Sequence, residues 1–355
     1  MSEPRPHGSS DPMADFSYVS ERDQALDHGR CFLCGVTLDD ENRTDEHVFP
    51  QWLLGDFALH NERLGLFNGT SIPYRSLKIP CCRDCNTVWL RRIEDVVSAA
   101  VRAGPESVMA LDTTTLAVWM AKIFYGLLFK DLSLASDRLH PTGDRLLDNA
   151  MLMDFAELHH VLQIARERVE LTGQTPATIF VFRTLDSADP RRRFDYRDVF
   201  GPPFLAIRMG RVGVVACLLD WGAVGDLQLE HLEIARGLEL HPTQFMQVAA
   251  LSAHWRRRLN RIPKHIAISG RGSADQLITL PLAGLSSKPI FDEFDVEDYA
   301  RLLAVFTGFD LERVWYRDTA QLWSSLTTAD DKPLQAPSVD DVAIEPPMRT
   351  PQTPP

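Results

Sequence analysis

The chain has 355 residues, enough for two domains at roughly 100–200 residues each. Its 45% hydrophobic and 24% charged content is that of an ordinary globular protein, and a formal net charge of −12 argues against coating a polyanion while leaving room for a local basic groove. The opening MSEPRPHGSSDPMADF lacks the apolar stretch of a secretory signal. The longest apolar run, residues 116–129, contains Lys122 and is too short to span a bilayer, so a cytoplasmic protein with no membrane partner is expected.

In chain order, residues 1–22 are polar and proline-containing and read as a disordered tail. Residues 23–97 show few regular apolar patterns, the texture of a small unit that needs a metal to fold. From residue 98 the pattern changes. Helical periodicity appears over 113–131, 151–168, 242–260 and 295–308. Between these helices lie β-type runs at 177–182, 203–209, 212–221, 265–269 and 276–282, with a hairpin turning at Met209-Gly210-Arg211. There is no βαβ regularity and no phosphate-binding glycine loop, so residues 98–330 are expected to form a larger mixed α+β domain. The proline-dense, acidic segment 331–355 reads as a second disordered tail.

Six cysteines are present, and Cys31, Cys34, Cys81, Cys82 and Cys85 fall within residues 31–85. Without a signal peptide, such clustering points to metal ligands more than to disulfides. Cys31-x-x-Cys34 and Cys82-x-x-Cys85 are two CxxC knuckles, which together supply the four thiolates of a tetrahedral structural Zn²⁺. Cys81 could replace Cys82 only with altered spacing, so it is read as a spare thiol. The competing reading is five unrelated buried cysteines. Cys217, alone in an apolar strand, reads as core.

Between the knuckles lies Asp45-Glu46-His47-Val48-Phe49-Pro50, and Asn86 directly follows the last cysteine. An acid beside a histidine, framed by CxxC and CxxCN, resembles the HNH (ββα-metal) endonuclease family, in the four-cysteine form of phage resolvases of the endonuclease VII type. The wording EHVFPQWL…CxxCN…W is also similar to a group of uncharacterised bacterial HNH proteins. The resemblance covers roughly residues 28–97. It implies a small zinc-stapled ββα-metal domain ahead of the larger α+β domain, and a hydrolase acting on phosphodiester bonds. Carried onto this chain, it makes His47 the general base, and Glu46 and Asn86 the ligands of a catalytic Mg²⁺ or Mn²⁺. Hard oxygen donors suit such a cation, and histidine suits proton abstraction near neutral pH. The chain departs from the family pattern at three places. Glu46 stands where the resolvases have aspartate. Leu90 occupies the position one helical turn on where many members have histidine. No asparagine shortly precedes Cys81, where Ser76-Leu77 stand.

Read without the resemblance, Asn86 could simply be a helix N-cap, with the ligand reading preferred. Glu94, eight residues further and about 12 Å along an α-helix, reads as surface, Trp52 and Trp89 as core, and His159-His160 as half-exposed packing. The expected partner is DNA, or RNA. Arg83, Arg91 and Arg92 beside the proposed helix, and Arg256, Arg257 and Arg258 in HWRRRLNRIPKH, are the candidate phosphate contacts, with PRRRFDYR (190–197) as a further patch. The 254–265 stretch reads as well as a solvated helix end. Double-strand cleavage by a one-site nuclease would call for a homodimer. The alternative function is a non-catalytic zinc-stabilised module that binds nucleic acid or protein.

Overall fold

The computed structural model describes residues 28–346, apart from Phe67, 132–133, 136, 138, 141–151, 153–154, 262–264, 269, 271–273, 280–287, 319–320 and 329. The expected tail at 1–22 lies outside these residues. The described chain is mixed α+β.

The first part begins with a loop carrying Cys31 and Cys34. It continues through β1 (Arg43–His47), the short helix α1 (Gln51–Asp56) and a ribbon of β2 (Arg63–Gly65) with β3 (Ser71–Pro73), and reaches β4 (Lys78–Cys82). β1 and β4 pair antiparallel, with Arg43 opposite Cys82 and His47 opposite Lys78. A π-helical turn, Cys85–Leu90, then runs straight into α2 (Arg91–Ala103). The boundary expected at residue 97 therefore falls inside one continuous helix.

The short α3 (Pro105–Met109) leads to α4 (Thr113–Asp131), which is buried along nearly its whole length. Its sequence is apolar all round, the pattern of a helix enclosed on every side. After α5 (Ala156–Leu162) and β5 (Val169–Thr172) comes the main antiparallel sheet. Its strands β6 (Ala177–Arg183), β7 (Phe194–Val199), β8 (Phe204–Met209) and β9 (Val212–Leu218) lie in the order β6-β9-β8-β7. The β8–β9 hairpin turns at Gly210 as the sequence suggests. β7 went unread because RFDYRDV carries charges on both faces: Asp195 and Arg197 on one, and Asp198 on the face of Phe194 and Tyr196.

Strands β8 and β9 are buried at every position. Alternate residues supply two cores. Leu205, Ile207, Val214 and Ala216 join the core of α4 and the cysteine unit. Phe204, Ala206, Val215 and Cys217 face the second core, built with α6 (Glu230–Arg236), α7 (Pro242–Arg258) and, further on, α8 (Val296–Thr307). Covering both faces explains why these strands read as unbroken apolar runs. A second described sheet of more than two strands has β11 (Asp275–Thr279) between β10 (His265–Ile268) and β5.

The segment expected as a tail from 331 is not free over 331–346. Val339 and Ala336 are buried, Ser187 donates to Asp340 at 2.5 Å, and Arg192 donates to the Val339 carbonyl at 2.6 Å. Its few apolar residues are spent on one surface of the domain, which composition alone does not reveal.

The cysteine unit and α4 share a single core, and Gly126 sets their distance. A Cβ there would come within 3.2 Å of Val48, which follows β1, and 3.4 Å of Ile79 in β4. Gly126→Val should therefore lower stability by about 1–3 kcal/mol through overpacking. Thermal unfolding measures it, and an unchanged melting temperature would contradict this packing.

Candidate functional site

Two short loops bring the four predicted cysteines together. The Cys31 amide donates to the Val36 carbonyl at 2.9 Å and the Gly35 amide to the Cys31 carbonyl at 2.8 Å, closing a knuckle in which Gly35 takes φ 72°. β4 and the π-turn deliver Cys82 and Cys85. The sulfurs of Cys31, Cys34, Cys82 and Cys85 all lie within 4.8 Å of one another, and these four could hold a structural zinc. The Cys34–Cys82 separation of 3.7 Å is close to the edge of about 3.8 Å that a tetrahedron of ~2.3 Å Zn–S bonds would have. Hydrogen bonds among the thiols lower Cys31 and raise Cys34 and Cys85, so it is the spacing of the sulfurs that points to an ion. Cys81 stays outside the four, with its sulfur 3.8 Å from that of Cys31. The knuckle is held from behind. His159, buried and not half-exposed as its sequence suggested, donates from Nε2 to the Phe32 carbonyl at 3.0 Å, and Gln163 donates to Leu33 at 2.8 Å.

Glu46, His47 and Asn86 line one cavity of about 400 Å³, together with Asp45, Gln51, Trp52, Arg91, Glu94 and Arg102. Asn86 does not cap a helix. It donates from Nδ2 to Thr44 Oγ1 at 3.1 Å and to the Asp45 carbonyl at 3.3 Å, tying the π-turn to β1. That leaves its carbonyl oxygen as the donor a cation could use. His47 accepts at Nδ1 from Gln51 Nε2 at 3.3 Å, so Nδ1 carries the lone pair. Burial, with the nearby Lys78 and Lys122 charges, pulls the imidazole down to about 4. It is neutral at pH 7 and able to take a proton, although such a low value makes it a weak base.

Glu46 is buried, and its Oε1 lies 2.5 Å from Lys122 Nζ. Lys122, from α4, also reaches Glu94 Oε1 at 2.8 Å and donates to the carbonyls of His47 at 2.6 Å and Val48 at 3.2 Å. Desolvation works against the ammonium, yet the two carboxylates outweigh it and raise Lys122 above its usual range. Burial pushes Glu46 up to about 7 despite that partner, because one ammonium is shared between two acids. Lys122 and Glu94 are the site residues sequence reasoning missed. Lys122 was visible as the lone charge in an apolar run. Glu94 was set aside by counting α-helical turns, but the π-turn ahead of it has i→i+5 bonding and changes the face on which later residues emerge.

A hard divalent cation would find here the second oxygen of Glu46, the Asn86 oxygen, the exposed Asp45 and water, since Lys122 shares Glu94 and Arg91 pairs with Asp95. Among the described residues only the cysteines form a cluster of three or more His, Cys, Asp or Glu donors. That set suits Mg²⁺ only as it is usually bound, through one or two protein groups with waters and substrate phosphate. Leu90, where family members have histidine, is core. Trp52 stacks on Trp119 at 6.2 Å and lines the cavity.

The arginines separate. Arg91 lines the cavity, paired with Asp95 at 3.5 Å. Arg83 is exposed and donates to the Glu41 carbonyl at 3.1 Å. Arg92 lies over Trp89 and pairs with Glu167, off the cavity. Arg256 is no surface contact: it is buried and donates to the Leu218 carbonyl at 2.9 Å, fastening α7 to the end of β9. Arg257 pairs with Asp298 at 2.8 Å and Arg258 lies 3.9 Å from Asp292, so neighbouring acids answer these two charges. In the 190–197 patch, Arg193 pairs with Asp186 at 2.8 Å.

No known protein family, characterised protein or solved structure matches the chain in comparisons with all three. No helix among the described residues is long and apolar enough to cross a membrane.

The cysteine geometry predicts about one zinc per chain in protein purified without added metal. Cys82→Ser should lose it and Cys81→Ser should retain it, as metal analysis will show; equal retention by both would refute the assignment of Cys82. The two neighbouring titrations give stability slopes of opposite sign. His47, lowered from 6.5 to about 4, contributes stability that is complete above 6.5 and lost as pH falls towards 4. Glu46, raised from 4.5 to about 7, contributes stability that is complete below 4.5 and lost as pH rises through 7. Denaturant unfolding between pH 4 and 7 should thus slope downwards with pH in His47→Asn relative to wild type, and upwards in Glu46→Gln. Identical slopes in the two variants would contradict these environments.

Proposed function

We propose that the chain is an HNH-type hydrolase acting on phosphodiester bonds of nucleic acid, DNA in the first instance. The observation that carries this reading is the convergence of Glu46, His47 and Asn86 in one cavity beside the four-cysteine cluster. It is supported by the order of elements: an antiparallel β1–β4 pair followed directly by a helix, with the acid-histidine pair on the first strand and the asparagine one residue past the last cysteine.

In this reading the cysteine cluster holds structural Zn²⁺ and pins the π-turn against β1. His47 takes a proton from the attacking water at Nδ1, with the water displacing the Gln51 amide from that lone pair. Asn86 and Glu46 are the residues that would hold Mg²⁺ or Mn²⁺, which when bound supplies charge stabilisation for the phosphoryl oxygens. Arg91, at the cavity edge, is the arginine best disposed to meet a phosphate. Trp52 gives the cavity a partly apolar wall.

A second reading, a zinc-stabilised module that binds without catalysis, is favoured by the same cavity's charge pattern. Glu46 is neutralised by Lys122, and His47 is a weak base. Nicking of supercoiled plasmid with Mg²⁺ or Mn²⁺ separates the two. The hydrolase reading predicts metal-dependent nicking that falls by at least about 100-fold in His47→Ala, within the 10²–10⁴-fold range of positioned proton transfer, while zinc content stays unchanged. Equal nicking by both proteins would exclude His47 as the base.

A further inference from the structure

We propose that Lys122 is the resident counter-ion of Glu46 and suppresses divalent-cation binding by the free protein, so that a cation enters this cavity together with a phosphate. The inference rests on the hydrolase reading of the cavity and concerns how its cation is held.

The ammonium is only 2% exposed and faces four acceptors: Glu46 Oε1 at 2.5 Å, His47 O at 2.6 Å, Glu94 Oε1 at 2.8 Å and Val48 O at 3.2 Å. It has three hydrogens for these four acceptors, so every one is engaged. The side chain arrives from α4, a helix enclosed in the core, and cannot swing into solvent. The most buried carboxylate of the cavity therefore has its charge answered before any metal arrives.

The other acids do not replace it: Asp95 is matched to Arg91, Glu94 shares the same ammonium, and Asp45 is exposed to solvent. A divalent ion on the second oxygen of Glu46 would sit close to a fixed positive charge in a desolvated place, where repulsion is poorly screened. A phosphate changes that balance by supplying both negative charge and oxygen ligands, the usual way Mg²⁺ completes its shell.

The test is Mn²⁺ binding to zinc-loaded full-length protein without nucleic acid, followed by the electron paramagnetic resonance signal of free Mn²⁺. Wild type is expected to bind Mn²⁺ no tighter than about 1 mM, the weak end of oxygen-ligand sites. Lys122→Met combined with Glu94→Gln keeps the net charge of the triad, frees Glu46, and is expected to bind at least about tenfold tighter, the lower end of what groups behind a ligand usually change. If the double variant fails to retain zinc, wild type decides: its Mn²⁺ binding is expected to tighten at least about tenfold when dimethyl phosphate is present, and no tightening would overturn the proposal. Micromolar Mn²⁺ binding by wild type, or no gain in a zinc-retaining variant, would overturn the proposal. The readout is binding, so a chain that nicks no DNA still tests it; absence of nicking in every protein would count against the hydrolase reading alone.

Discussion

A buried ammonium must be answered by acceptors, and the way Lys122 is answered organises the molecule around it. Placing it in the middle of α4 costs several kcal/mol in desolvation unless its hydrogens are all matched. The matches come from two separated pieces of chain: the end of β1 with the residue after it, and α2. Satisfying one side chain thus fixes where the acid-histidine strand sits relative to two helices. Removing Lys122 alone would strand two carboxylates, and such broken pairs typically cost about 3–5 kcal/mol.

The cysteine cluster works on the same strand from its other end. Four sulfurs within 4.8 Å define the corner where the first knuckle, β4 and the π-turn meet. His159 and Gln163 then hold the knuckle's carbonyls from α5 and the turn after it. Asn86 sits between the two constraints, one residue after Cys85 and bonded to Thr44 and Asp45. The cavity is therefore fixed at three points, by thiols, by an amide and by an ammonium, and none of the three lies on a free loop. Positioning of this kind is what proton transfer at a phosphate would require.

The larger sheet serves as the floor. Because β8 and β9 are covered on both faces, α4 is pressed between that sheet and the cysteine unit, and Gly126 allows the close approach. What sequence texture suggested as two domains is built as one continuous core on this side. At the arginine-rich end of α7, Arg256 turns inward as a structural fastening, while Arg257 and Arg258 meet acidic neighbours.

By itself the sequence determined what is encoded in short-range spacing. The two CxxC pairs, the hairpin at Gly210, the long helices and the apolar strands could be read because a knuckle, a turn or a helix face is set by residues a few positions apart. The convergence of Glu46, His47 and Asn86 was also legible, since the metal knuckles bracket them. Only the tertiary structure decided what depends on partners far along the chain. Lys122 meets Glu46 across 76 positions, His159 meets Phe32 across 127, and Arg256 meets Leu218 across 38. A charge in an apolar run says that a partner must exist, but the fold alone chooses it. That choice made Glu94 part of the cavity, made Arg256 part of the core, and placed a fixed positive charge beside the carboxylate expected to hold a metal.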